Sequence, residues 1–174
     1  MNFITIFEPY LHVVKFDDLH EFDKLINDWN NTDYLFKYFS KRENDLKYYG
    51  VSVIDAVRIT RFEINQFRNK LQQILTSTNP DLDQLFTNLD NQEFRTNVEL
   101  SKQKSKPNPK YWLRIYALKI EPNIYVIVGG AIKLKKLMEE EEVTANELIK
   151  LNKVRDFLRS EGVSDYDGFY ELII

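Results

Sequence analysis

The 174-residue chain is 43% hydrophobic and 14% aromatic, enough apolar surface for a core that needs neither metal nor disulfide. It contains no cysteine, which excludes disulfides, thiol catalysis and cysteine-ligated zinc. Its 24 Lys and Arg against 27 Asp and Glu give a net charge of −3, which excludes an indiscriminate polyanion binder.

No charged-then-apolar leader opens the sequence, and no apolar run approaches ~18 residues. A soluble cytoplasmic protein with one domain over residues 1–174 is expected, without a membrane contact. Phe3 to Phe7 is strand-like, Pro9 interrupts it, and Leu11 to Phe16 resumes an extended pattern. This is either a hairpin or one bent edge strand. Asp17 or Asp18 is placed to cap a helix through Phe22, Leu25, Ile26 and Trp29. Thr32 or Asp33 starts a second, running through Leu35, Phe36, Phe39 and Leu46 to Gly50.

The clearest helix follows Ser52, with Asp55 three residues on. Its stripe runs through Ile54, Val57, Ile64, Leu71, Ile74 and Leu75, and Pro80 forbids continuation. Asp81 to Leu89 reads as a short further helix. This enlarged helical region covers about residues 18–92. Ser101 to Lys110 reads as a loop.

The period then changes to two. Along Tyr111 to Ile120, the residues Trp112, Arg114, Tyr116, Leu118 and Ile120 share one face, and Leu113, Ile115, Ala117 and Lys119 the other. Glu121-Pro122-Asn123 is a turn, and Ile124 to Val128 returns as an antiparallel partner. Gly129-Gly130 marks a bulge or a close backbone approach. After the acidic run Glu139 to Glu142, Thr144 with Glu147 forms a capping box for a helix with Leu148, Leu151, Val154 and Leu158. Asp165 to Ile174 is a short helix docking Phe169, Leu172 and Ile173. The order of elements is α+β with an antiparallel sheet.

Charge is distributed unevenly over these elements. Between Lys102 and Lys136 stand Lys102, Lys104, Lys106, Lys110, Arg114, Lys119, Lys133, Lys135 and Lys136, against the single acid Glu121. The rest of the chain carries an excess of acids. Such a block is either one solvated face or a local field that attracts phosphates. Arg114 and Tyr116, two apart on one strand, point to the same side, roughly 7 Å apart. Arg114 suits a phosphate and its developing charge. Tyr116 suits stacking on a base or hydrogen bonding to the backbone, or else packing in the core. A lysine crowded by like charges is drawn toward proton transfer. His12 and His20, eight apart, fit no zinc spacing and are expected in structural roles. No metal and no cofactor is expected.

The strings Trp112-Leu113-Arg114-Ile115-Tyr116 and Ile124 to Lys133, the latter containing Gly129-Gly130-Ala131-Ile132-Lys133, resemble the RelE/ParE/HigB superfamily of bacterial toxins. They are most similar to a longer HigB/RelE-like family of Bacteroidetes. The likeness covers about residues 110–174. It implies a small antiparallel sheet packed by N-terminal and C-terminal helices. It also implies a toxin component of a toxin–antitoxin or phage-defence system that cleaves mRNA without a metal, usually on the ribosome. A cognate antitoxin of the helix-turn-helix type would be the partner. By this likeness the catalytic positions are Arg114, Tyr116 and Lys133, and the other cations of the basic block, Lys102, Lys104, Lys106, Lys110, Lys119, Lys135 and Lys136, are expected to hold RNA. The chain departs from the pattern in its length and in lacking a C-terminal His or Tyr in a basic context. The alternative is a non-catalytic protein of the same fold, either a ParE-like inhibitor of a protein target or an inactive toxin-derived module.

Overall fold

Six strands and six helices follow one another in a computed structural model that describes residues 1–89, 100–134 and 138–174, and side chains other than those of 138–144. The chain opens with β1 (Asn2–Phe7) and β2 (Leu11–Lys15), which pair antiparallel, so the N-terminal pattern is a hairpin. Four helices follow: α1 (Glu21–Asn30), α2 (Thr32–Ser40), α3 (Glu43–Tyr49) and α4 (Val53–Leu75). Then come β3 (Thr87–Asn88), β4 (Ser101–Ser105), β5 (Leu113–Glu121), β6 (Ile124–Ile132), α5 (Met138–Ser160) and α6 (Tyr166–Ile173).

The sheet order is β1-β2-β6-β5-β4-β3. All neighbours are antiparallel except β2 and β6, which run parallel with Leu11 opposite Tyr125 and Val13 opposite Ile127. The expected all-antiparallel sheet is therefore corrected to a mixed one. The physical reason lies in β2, whose Leu11, His12, Val13 and Val14 are all buried. A strand covered on both faces belongs inside a sheet, and α1 to α4 are more than long enough for the crossover a parallel pair needs.

Helices cover both faces. Leu11, Val13, Leu113, Ile115, Ala117 and Ile127 form one core with Phe22, Leu25, Trp29, Leu35, Phe39, Ile64 and Phe67 from α1, α2 and α4. Val14, Tyr116, Leu118, Val126 and Val128 form the other core with Leu151, Val154 and Leu158 of α5 and Phe169 of α6.

Caps fix the helix starts. Ser52 Oγ accepts from the backbone N–H of Asp55, as its spacing predicts. Asp165 does the same for α6, accepting from Gly168 at 2.8 Å. For α1 the cap is His20, whose Nδ1 accepts from the N–H of Asp23 at 3.1 Å, in place of Asp17 or Asp18. The helix expected between Thr32 and Gly50 breaks into α2 and α3, and Gly50 ends α3 at φ +65°. Between Asp81 and Leu89 only one 3₁₀ turn forms (Leu82–Gln84) before β3. Helix α5 begins at Met138, so Thr144 lies within it and does not start it.

Candidate phosphate-binding site

The site is built on the end of β5. Its pairing sets Tyr116 opposite Lys104 of β4 and opposite Gly129 of β6, and Arg114 opposite Ala131. Directly paired side chains project to the same face, ~4.5–5.5 Å apart at Cβ. Lys104, Arg114 and Tyr116 thus stand together on the face that α5 covers. Lys133 follows β6, where its N–H donates to the Trp112 carbonyl at 2.7 Å and prolongs the hairpin by one bond.

These groups line one cavity of about 250 Å³, with Lys104, Lys106, Arg114, Tyr116 and Lys133 on its polar side and Leu89 and Leu148 as apolar walls. Three separate chain segments thus place four cations and a phenol around one opening. Arg114 also donates to the Tyr111 and Leu113 carbonyls at 3.0 and 2.7 Å, which steadies the base of its guanidinium. Lys106 holds its proton less firmly than an ordinary lysine. Partial burial is the first cause, followed by the charges of Arg114, Lys104 and Lys133. Tyr116 is 2% exposed, so its ring is a wall of the cavity and has no open face for a base.

The other expected phosphate contacts lie elsewhere. Lys102 is on the Lys104 face but opposite Leu118, two pairs further along the strand from Tyr116. Lys110 sits in the β4–β5 connection with its Nζ 5.4 Å from the centre of the Tyr111 ring. Lys119 points to the opposite face, where it forms an ion pair with Asp83 at 3.0 Å. Its expected RNA contact is corrected for that reason: the same carboxylate accepts from the Tyr125 hydroxyl and the Asn123 N–H, a closed structural cluster. Lys135 and Lys136 lie outside the described residues, as do the side chains of Glu139 to Glu142 and of Thr144.

Trp112 also departs from its expected face. It precedes β5, is fully buried toward α4, and donates from Nε1 to Thr60 Oγ1 at 2.9 Å. The strand's alternation begins at Leu113 and does not extend to Trp112. Gly129 and Gly130 prove to be both of the features expected of them. Tyr116 pairs with Gly129 and Ala117 with Ile127, which leaves an extra residue on β6. A Cβ on Gly130 would lie 2.7 Å from the Arg114 carbonyl oxygen, 2.8 Å from Leu25 Cδ1 and 2.9 Å from Trp29 Cη2. On the other face a Cβ on Gly129 would collide with the Glu147 carboxylate and lie 2.7 Å from Lys150 Nζ.

That carboxylate belongs to an ionic chain fastening α5 to α1. Lys150 Nζ lies 2.7 Å from Glu21 and 3.1 Å from Glu147, and Lys24 joins Glu21 to Asp17. Burial holds the Glu147 carboxyl above the usual carboxylate range, against the pull of Lys150. Both histidines are structural: His20 caps α1, and His12 is buried between Thr5 and Pro9. Among the described residues no three His, Cys, Asp or Glu side chains gather to hold a metal ion. None of the described helices is long and apolar enough to cross a membrane. No family model, no curated protein and no solved structure matches the chain.

Proposed function

We propose that this chain is a cytoplasmic toxin of the RelE/ParE/HigB kind, with a RelE-like sheet and an enlarged helical region, acting as an endoribonuclease on mRNA. The observation that supports this reading is the cavity in which Lys104, Lys106, Arg114 and Lys133 converge beside Tyr116. Four cations around a small opening suit a phosphodiester, and the guanidinium suits the charge that builds on its oxygens during displacement. The ribose 2′-oxygen forms a bond to phosphorus and gives its proton to solvent. The P–O5′ bond breaks, and Lys106, a stronger acid than an ordinary lysine, donates a proton to the departing 5′-oxygen. The products are a 2′,3′-cyclic phosphate and a 5′-hydroxyl. The ribosome would present the mRNA, and a helix-turn-helix antitoxin would hold the protein silent.

The test is purified protein incubated with mRNA, with and without ribosomes, followed by mapping of the new ends. Arg114→Ala is expected to lower cleavage by at least ~10²-fold, the scale of losing one charge-stabilising donor. Circular dichroism of the variant checks that a loss of cleavage is not a loss of fold. Equal cleavage by wild type and Arg114→Ala would remove the site from the mechanism. A second reading is favoured by the buried Tyr116 ring, which offers a base nothing to stack on. It is a non-catalytic binder that grips a phosphate or an acidic partner segment in the same cavity, as a ParE-like inhibitor or inactive module would. Stable RNA binding without new ends identifies it.

A further inference from the structure

A second cavity of about 610 Å³ opens on the other side of the sheet, between α4 and the end of β4. The two cavities share Lys106. The reason is the strand's alternation at its last residues. Lys104 projects to the α5 face, Ser105 to the α4 face, and Lys106 stands just past the strand end between them. Strand β3 has only two residues and pairs only with Gln103 and Lys104. Among the described residues the β3–β4 ladder therefore ends short of Ser105 and Lys106, and Lys106 lines both cavities at that end of the strand.

The chemistry of the second cavity is specific. Gln66, Asn69 and Gln73 occupy positions i, i+3 and i+7 of α4, one face of a helix spanning about 10 Å. All three are exposed at the opening, while Phe67 and Leu85 make an apolar floor. Among the described residues that line it none is acidic, and Lys70 and Lys106 are basic. A carboxamide offers a donor and an acceptor side by side, the pattern that reads the edge of a nucleobase. The volume lies within the ~300–1,000 Å³ of small-ligand clefts.

We infer that this groove is a base-reading subsite for the nucleotide next to the phosphate held by Arg114, in a single-stranded RNA that turns around the β4 edge at Lys106. The inference rests on the proposed RNA-binding role of the first cavity and names what sets its sequence preference. Gln66, Asn69 and Gln73 contact the base edge, Phe67 and Leu85 support its face, and Lys106 bridges the two nucleotides.

The experiment measures binding of fluorescein-labelled RNA hexanucleotides and dinucleotides of mixed sequence, at one salt concentration. Wild type should bind the hexanucleotide far more tightly than the dinucleotide, and in the triple variant Gln66→Ala, Asn69→Ala, Gln73→Ala that ratio should fall about tenfold. Gln72→Ala, which faces β1 from the far side of α4, is the control and keeps the ratio. An unchanged ratio in the triple variant, equal wild-type affinity for the two lengths, or no wild-type binding of either overturns the inference. A wild type that shows the expected ratio and its loss, yet leaves mRNA ends unchanged, supports the groove and removes only the nuclease reading.

Discussion

Lys106 and His12 show how differently two depressed basic groups behave. Lys106 sits among Arg114, Lys104 and Lys133, and burial with their charges lowers its proton affinity. In the proposed mechanism it would protonate the leaving oxygen and be active while it keeps its proton, so the rate would fall as pH rises through its pKa. Lys133→Gln removes one of the repelling charges. The alkaline fall in rate is then expected to move to higher pH, in addition to any loss of rate. A pH–rate profile checks it, and a fall that stays in place means Lys106 is not the proton donor. His12 is fully buried, and its Nε2 donates to the Pro9 carbonyl at 2.9 Å, which leaves Nδ1 to accept from the Thr5 hydroxyl at 3.1 Å. Both bonds use the neutral ring. Burial lowers its pKa below 6.5, against smaller opposing effects of Pro9 and Glu8. The unfolded chain therefore takes up the proton first. His12 costs no stability above the unfolded pKa near 6.5 and costs progressively more as pH falls from there toward the depressed folded value. Urea midpoints measured from pH 7.5 to 5 should decline, and His12→Gln should flatten the decline. An identical slope in the variant would assign the acid sensitivity to other groups.

At the level of elements, the paired glycines hold the central hairpin between its helices. Gly130 lets α1 lie against β6, and Gly129 leaves room for the α5 carboxylate. Gly130→Ala has no space to enter, because the Arg114 carbonyl is backbone and the Leu25 and Trp29 side chains are buried. Overpacking of this kind costs about 1–3 kcal/mol, which urea denaturation will read directly. A loss below ~0.5 kcal/mol would mean that α1 slides freely on the sheet. The helices were legible in the sequence where an apolar stripe had three or more turns, as in α4 with Val57, Ile64 and Leu71. Strand β4 was not, because Ser101, Lys102, Gln103, Lys104 and Ser105 contain no apolar residue. Its inward side is polar and satisfied locally: Gln103 donates to Ser101 Oγ and to Asn88. Pairing with β5 decides its conformation, and a partner strand leaves no mark in the strand's own composition. The basic block was legible as a cluster, but alternation sorted its members to two faces, which separated Lys119 from Arg114. The parallel seam between β2 and β6 joins residues more than a hundred positions apart, and neither strand's own pattern names its partner.

Across the whole molecule, charge would limit how much RNA a protein of the proposed kind could hold. The basic block lies in a chain whose remainder is acidic, and the net charge is −3. One confined site in such a chain predicts that a longer phosphate backbone gains no further cations on leaving the cavities. Each phosphate neutralised on a single strand contributes about −0.7 to the slope of log K against log salt. For a protein with one confined site the slope is fixed by the cations at that site and does not grow with the ligand. Titrations of the wild type with hexanucleotides and with RNA of roughly thirty nucleotides should give the same slope, and Lys133→Ala should flatten both by about 0.7. A general polyanion binder would instead show a steeper slope on the longer RNA, because additional phosphates would find additional lysines. A slope that steepens with length, or one that ignores Lys133, would place the binding on the scattered surface cations and leave the cavity around Arg114 without a role in recognition.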